Sequence, residues 1–221
     1  MVATKGRRVV RGGYKETYRK YLRGRVGLTF YRKMGVMLLV FVVSGFLGWL
    51  WEFSLNEVTD GFRVFYVKGG NLLPWINLYA YGAVLVVILT YKIRRYPVLV
   101  FLVSAIATGI LELVSGLLVY IFGNGTRYWN YLDDWWGVGN INGFVCPASV
   151  VAFGIGSLVL MYGLLPFCMY LARKANERKF VMLIMILFML VMADEVTNLA
   201  LKNLGLPTAM DFYHSLGFKY K

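Results

Sequence analysis

Five apolar runs, each about 18 to 28 residues long, constrain this chain more than any other feature, because a helix of that length covers the roughly 30 Å hydrocarbon core of a bilayer. They extend from Met34 to Glu52, Pro74 to Tyr91, Pro97 to Phe122, Phe144 to Leu171 and Phe180 to Asn203. A soluble domain of 221 residues has no use for so much apolar surface. Here 59% of the residues are hydrophobic, only 16% are charged, and the mean hydropathy is +0.61. The expected fold is therefore an all-α, polytopic transmembrane bundle of about five helices.

The basic residues orient it. Eleven of the 24 Lys and Arg lie between Lys5 and Lys33, where Glu16 is the sole acid. The turn at Lys92–Tyr96 adds three and the turn at Ala172–Lys179 adds four. The opposite side holds Arg63, Lys68, Arg127, Lys202, Lys219 and Lys221, so the split is 18 to 6 and the positive-inside rule places the amino terminus in the cytoplasm and the carboxyl terminus outside. Residues 1–33 read as a basic juxtamembrane arm facing anionic lipid of the inner leaflet, 34–203 as the transmembrane domain, and 204–221 as an extracytoplasmic tail. The arm is too long and basic for a secretory signal, and no small-residue cleavage site follows it. The net charge of +13 comes without any motif that reads RNA or DNA, so no nucleic-acid partner is expected.

Ionisable side chains in lipid cost several kcal/mol unless paired or hydrated, so Glu52, Glu112, Asp194 and Glu195 stand out. Counted from the cytoplasmic helix ends at 1.5 Å per residue, Glu52 lies about 27 Å deep, Glu112 about 22 Å and Asp194 about 21 Å. Three helices thus carry acids at one level in the outer half of the membrane. Ser44, Gly48 and Glu52 share a helix face, as do Ser104, Thr108 and Glu112, and Asp194 is followed by Asn198 one turn later. Glu195 is read as a partner of Lys202 near the outer surface. These positions fit either interhelical hydrogen bonds holding the bundle or an outward-opening ligand pocket.

Gly123–Gly143 forms an external loop with Tyr128, Trp129, Asn130, Tyr131, Asp133, Asp134, Trp135 and Trp136. Trp135 and Trp136 suit interfacial anchoring, whereas the amides of Asn140 and Asn142 bring donors and acceptors to the mouth of the pocket. Cys146 and Cys168 are about 33 Å apart on one helix and cannot be bridged, and an impermeant maleimide is expected to reach Cys146 from outside but not Cys168. No P-loop, zinc-spaced Cys/His set or nucleophile elbow is present, His214 lies in the tail, and no cofactor can be named.

Three ordered motifs carry a family resemblance: Ser44-Gly45-Phe46-Leu47-Gly48-Trp49-Leu50-Trp51-Glu52, Trp129-Asn130-Tyr131, and Asn140-Ile141-Asn142-Gly143-Phe144-Val145-Cys146. From about Gly35 to Asn198 the chain resembles the CmpB-like bacterial integral membrane proteins known as ABC-transporter type IV permeases. The family's Gly-Pro-x-Cys-Pro-x-Tyr-Gly segment survives here as Pro74, Tyr79 and Gly82, and its Trp-Asp-Tyr as Trp129-Asn130-Tyr131. The resemblance matches Glu112 and Asp194 to acidic positions of the family and implies transport in a bacterial cytoplasmic membrane. The two internal turns, of about five and eight residues, are too short for a coupling helix, which leaves the arm to dock a separate ATPase or another membrane subunit. The candidate binding set is Glu52, Glu112, Asp194, Asn140, Asn142, Trp129, Tyr131 and Asn198, for a small polar or cationic solute. A membrane-embedded enzyme acting on a lipid or lipid-linked substrate and a non-catalytic assembly subunit are the alternatives.

Overall fold

The computed structural model describes residues 13–59, 66–67, 71–123, 125, 127–132, 136–217 and 219–220. Lys5 and the rest of residues 1–12, Arg63, Lys68, Asp133, Asp134 and Trp135 lie outside the described residues. Among the described residues, apart from a two-residue pairing of Tyr66–Val67 with Lys219–Tyr220 and an isolated bridge between Ile141 and Val145, the regular structure is helical.

Part of the basic arm is a folded element. Helix α1 (Tyr14–Leu22) buries Thr17 and Tyr21 on one face and leaves Lys15, Arg19 and Arg23 exposed. That two-faced pattern lets it lie across the inner end of the bundle. Arg94 donates Nε to the Tyr21 carbonyl at 2.8 Å, and its guanidinium stacks 4.3 Å from the Tyr91 ring centroid. Arg95 reaches the carbonyls of Leu22 and Arg23, and Arg173 donates to the Thr17 hydroxyl at 3.0 Å. The arm and both arginine-rich turns therefore gather on one face of the bundle.

Helix α2 (Phe30–Thr59) begins where Thr29 Oγ1 accepts the Arg32 amide at 3.2 Å. It is longer at both ends than the apolar run. Helix α3 (Asn77–Thr90), continued by a 3-10 turn at Tyr91–Ile93, starts three residues later than its run. Residues 71–76 are instead non-helical and pressed onto α2: Ile76 N–H donates to the Gly45 carbonyl at 3.1 Å and Trp75 Nε1 to the Val42 carbonyl at 3.1 Å. Irregular backbone at membrane depth survives only where protein groups satisfy it, and these bonds do so.

Helix α4 (Pro97–Phe122) matches its run. Helix α5 (Pro147–Val159) passes through a π turn at Leu160–Leu164 into α6 (Leu165–Lys174). Pro166 has no amide hydrogen, so the Tyr162 carbonyl lacks its usual acceptor role, and the helix loosens by one residue just before it. Residues 144–146, expected in this helix, belong to the preceding loop. Helix α7 (Glu177–Asn203) opens on the Asn176 side chain, which accepts the Lys179 amide at 3.2 Å. A short helix, α8 (Ala209–Ser215), occupies the expected tail.

Four spans, Phe30–Ser54, Pro97–Phe122, Pro147–Lys174 and Glu177–Asn203, are long and apolar enough to cross a membrane. The shorter fifth, Asn77–Ile93, reaches about 25 Å and is completed by the 71–76 segment. The chain is a multi-pass membrane protein. In its inner half Val36, Val40, Val86, Val100, Met161 and Leu165 pack into an apolar core.

Candidate functional site

Two glycines of α2 set the site. A Cβ on Gly45 would lie 2.1 Å from Trp75 Nε1, and one on Gly48 would lie 2.1 Å from Tyr79 Cγ, so both aromatic rings rest directly on the α2 backbone. One turn beyond Gly48, Glu52 Oε1 accepts the Tyr79 hydroxyl at 2.6 Å. The spacing Gly45, Gly48, Glu52 thus receives the start of α3 and joins its tyrosine to an acid.

On α4, Gly116 has the same use: a Cβ there would come within 2.8 Å of Phe144 and 3.2 Å of Trp129. This close approach seats the 127–146 loop over the outer end of α4. Trp129 Nε1 donates to the Phe144 carbonyl at 2.8 Å, Tyr131 N–H to the Gly143 carbonyl at 3.0 Å, and Ile141 pairs with Val145. Asn140 Nδ2 donates to the Gly137 carbonyl at 2.8 Å while its Oδ1 accepts the Gly143 amide at 2.8 Å. Asn142 takes a left-handed φ of 50°, and its carbonyl accepts from Arg127 at 2.6 Å. The side chain of Asn140 and the backbone of Asn142 are thus committed to shaping the loop.

The loop delivers Tyr131 to Glu112. Glu112 is 3% exposed; Tyr131 donates its hydroxyl to Oε1 at 2.6 Å, and Ser149 donates to Oε2 at 2.7 Å. Ser149 is placed by the start of α5, where its amide donates to Cys146 Sγ at 3.4 Å and the Cys146 amide donates to Ser149 Oγ at 3.2 Å. Cys146 is 2% exposed and Cys168 1%, so the expectation that a maleimide reaches Cys146 from outside is corrected: the loop covers it.

Burial and the Glu112 charge push the Tyr131 phenol far above its ordinary range, so it remains a neutral donor. Glu52 with Tyr79 joins α2 to α3, and Glu112 with Tyr131 and Ser149 joins α4 to the outer loop and α5. Among the described residues no Lys or Arg pairs with Glu112.

Asp194 belongs to a separate arrangement. Its oxygens accept the backbone amides of Leu72 at 3.1 Å and Leu73 at 2.7 Å, and Asn198 Nδ2 donates to it at 2.7 Å. Asn198 Oδ1 accepts the Ala209 amide at 2.9 Å, and Tyr213 donates its hydroxyl to the Leu72 carbonyl. Asp194 and Asn198 thus fasten the 71–76 segment and α8 to α7. Glu195 accepts from Asn77 Nδ2 at 2.8 Å, and Lys202 faces the Tyr128 hydroxyl at 3.3 Å, so the expected Glu195–Lys202 pair is not formed. An apolar groove of about 280 Å³ between α2 and α7, lined by Phe46, Pro74, Trp75 and Val191, lies beside this clamp.

Of the expected site residues, Tyr131 meets Glu112, while Glu52 meets Tyr79. Trp129, Asn140 and Asn142 build the loop that carries Tyr131, and Asp194 with Asn198 stands apart. Tyr79 and Ser149 were not expected in the site. Tyr79 carries a signal in hindsight as a survivor of the family segment, and Ser149 as the third residue after Cys146, the usual capping-box spacing.

A model of the family described as "Putative ABC-transporter type IV" matches residues 39–199, well over half of the chain, from within α2 to near the end of α7. No curated protein and no solved structure matches.

Proposed function

Because the chain belongs to the ABC-transporter type IV family, we propose that it is the membrane component of a transporter and binds a small cationic or polar solute at Glu52 and Glu112. The carrying observation is the charge balance around Glu112. Glu112, buried inside the bilayer, is met among the described residues by the hydroxyls of Tyr131 and Ser149, which orient it but supply no positive charge. A cation beside Glu112 offsets that buried charge, and the carboxylate oxygens of Glu112 and Glu52 are the acceptors for its hydrogen bonds.

The outer loop and the depth of the acids favour loading from the extracytoplasmic side. The chain has no P-loop, so an ATP-driven cycle needs a separate ATPase. The exposed Lys15, Arg19 and Arg23 of α1 offer it a folded basic surface on the inner face. Residence in a bacterial cytoplasmic membrane follows from this reading.

The test is a thermal-shift titration of purified protein in nanodiscs with guanidinium and tetramethylammonium chloride, sodium chloride being the ionic-strength control. One of the two organic cations should raise the melting temperature of the wild type and leave that of Glu112→Gln unchanged. A folded Glu112→Gln protein with an undiminished response sinks the proposal.

A further inference from the structure

The outer wall of α6 carries a group of rings that lies outside the apolar core. Tyr14 of α1 is 6.0 Å from Tyr170 and 6.4 Å from Phe167, measured between ring centroids, and Phe167 and Tyr170 are themselves 6.4 Å apart. Three rings from two helices thus form one shelf. Its outer side is uncovered by protein, with Tyr14 38% and Phe167 47% exposed. Lys174 stands over its edge, its Nζ 5.7 Å from the Tyr170 ring centroid and donating to the Tyr170 hydroxyl at 3.4 Å.

Depth decides what the shelf meets. α6 ends the span Pro147–Lys174, so Lys174 marks a membrane surface, with Tyr170 about 6 Å and Phe167 about 10 Å inward of it. Rings at that level sit between headgroups and the first methylenes of the acyl chains, and a lysine there extends its ammonium to the phosphates. Tyr14 brings the first turn of α1 to the same level, which seats this end of α1 in the interfacial layer. Arg19 and Arg23 lie roughly half a turn round α1 from Tyr14, so the shelf is distinct from the basic surface offered to an ATPase.

Charge decides the headgroup. Within 13–33, 92–96 and 172–179 the described residues include 14 Lys and Arg against two acids, and Glu16 is already paired with Lys20 and Glu177 with Arg32. Among the described residues Lys174 has no carboxylate partner. A headgroup carrying its own cation meets repulsion from this array, whereas one of net negative charge is attracted by all of it. The Tyr170 hydroxyl, having accepted from Lys174, keeps a proton to donate.

We propose that this shelf binds one anionic phospholipid, its phosphate at Lys174 and the Tyr170 hydroxyl and an acyl chain along Tyr14 and Phe167. The bound lipid bridges α1 to α6, beside the bond from Arg173 to Thr17 that already joins them. The site is independent of the membrane acids and of any solute they hold.

The experiment is native mass spectrometry of the detergent-solubilised protein, titrated with phosphatidylglycerol or with phosphatidylcholine of the same acyl chains. The wild type should hold its first phosphatidylglycerol at least tenfold more tightly than phosphatidylcholine. Lys174→Gln and Phe167→Ala should each weaken that binding at least fivefold, while Arg178→Gln, which removes an exposed cation from the first turn of α7, should leave it unchanged. Equal binding of the two lipids overturns the proposal. So do equal losses from Lys174→Gln and Arg178→Gln, which would show a diffuse attraction without a site. A dimer that disappears in Phe167→Ala while lipid binding stays intact would assign the shelf to a second copy of the chain, and overturns it as well.

Discussion

The Tyr131 hydroxyl and the Glu112 carboxylate meet at 2.6 Å, joining an external loop to an acid in the interior of α4. The bond turns the 127–146 loop from a connection into a cover for the acid. Tyr131→Phe removes one neutral donor from a buried carboxylate and should cost about 1–3 kcal/mol of stability. Hydrogen exchange of the Tyr131 and Gly143 region, read by mass spectrometry, should rise in the same variant.

The glycines of α2 give a sharper contrast. Gly48→Ala places a methyl group where the Tyr79 ring lies, and relief requires α3 to move away from α2. A loss of about 2 kcal/mol or more is expected, on the scale of overpacked cores. Gly156→Ala, on a helix with nothing within 4 Å of the new methyl, should be neutral or slightly stabilising. Melting temperatures in one detergent compare the two.

Asp194 should act on a different part of the molecule. Asp194→Ala leaves the amides of Leu72 and Leu73 without acceptors, so their hydrogen exchange should accelerate at least tenfold, as should that of α8. The response to an organic cation should persist, because Glu52 and Glu112 keep their own partners. Loss of both together would merge the two clusters into one site.

Arg94 ties α1 to the bundle by geometry that a lysine cannot reproduce. Its Nε and Nη1 serve two carbonyls while its plane stacks on Tyr91 and Tyr21. Arg94→Lys keeps the charge and loses the fork, and should therefore expose residues 14–22 to protease while the transmembrane core stays protected. Equal protection of α1 in both proteins would contradict that account.

The sequence made the helices legible because lipid imposes length and apolarity directly. Asp194 shared the depth of Glu112, but depth does not say which backbone lies opposite. The 71–76 segment takes its course from contacts with Gly45 and Val42 on another helix, which no local pattern encodes. The arm concealed α1 because its basic residues dominate the composition, although Thr17 and Tyr21 recur at helical spacing. Tyr79 was missed as a donor because a tyrosine near the end of an apolar run looks like an interfacial anchor. Asn140 was read as a ligand group, whereas its amide bonds the backbone of its own turn, the common use of asparagine beside glycine.

A double-mutant cycle on Glu52→Gln and Glu112→Gln tests most directly whether these acids form one charged site. The readout is the cation-induced shift in melting temperature in nanodiscs. If the two carboxylates share a ligand, each single substitution should abolish most of the shift and the double should lose little more, a coupling of about 1 kcal/mol or greater. Independent effects that add within a few tenths of a kcal/mol would contradict a common site.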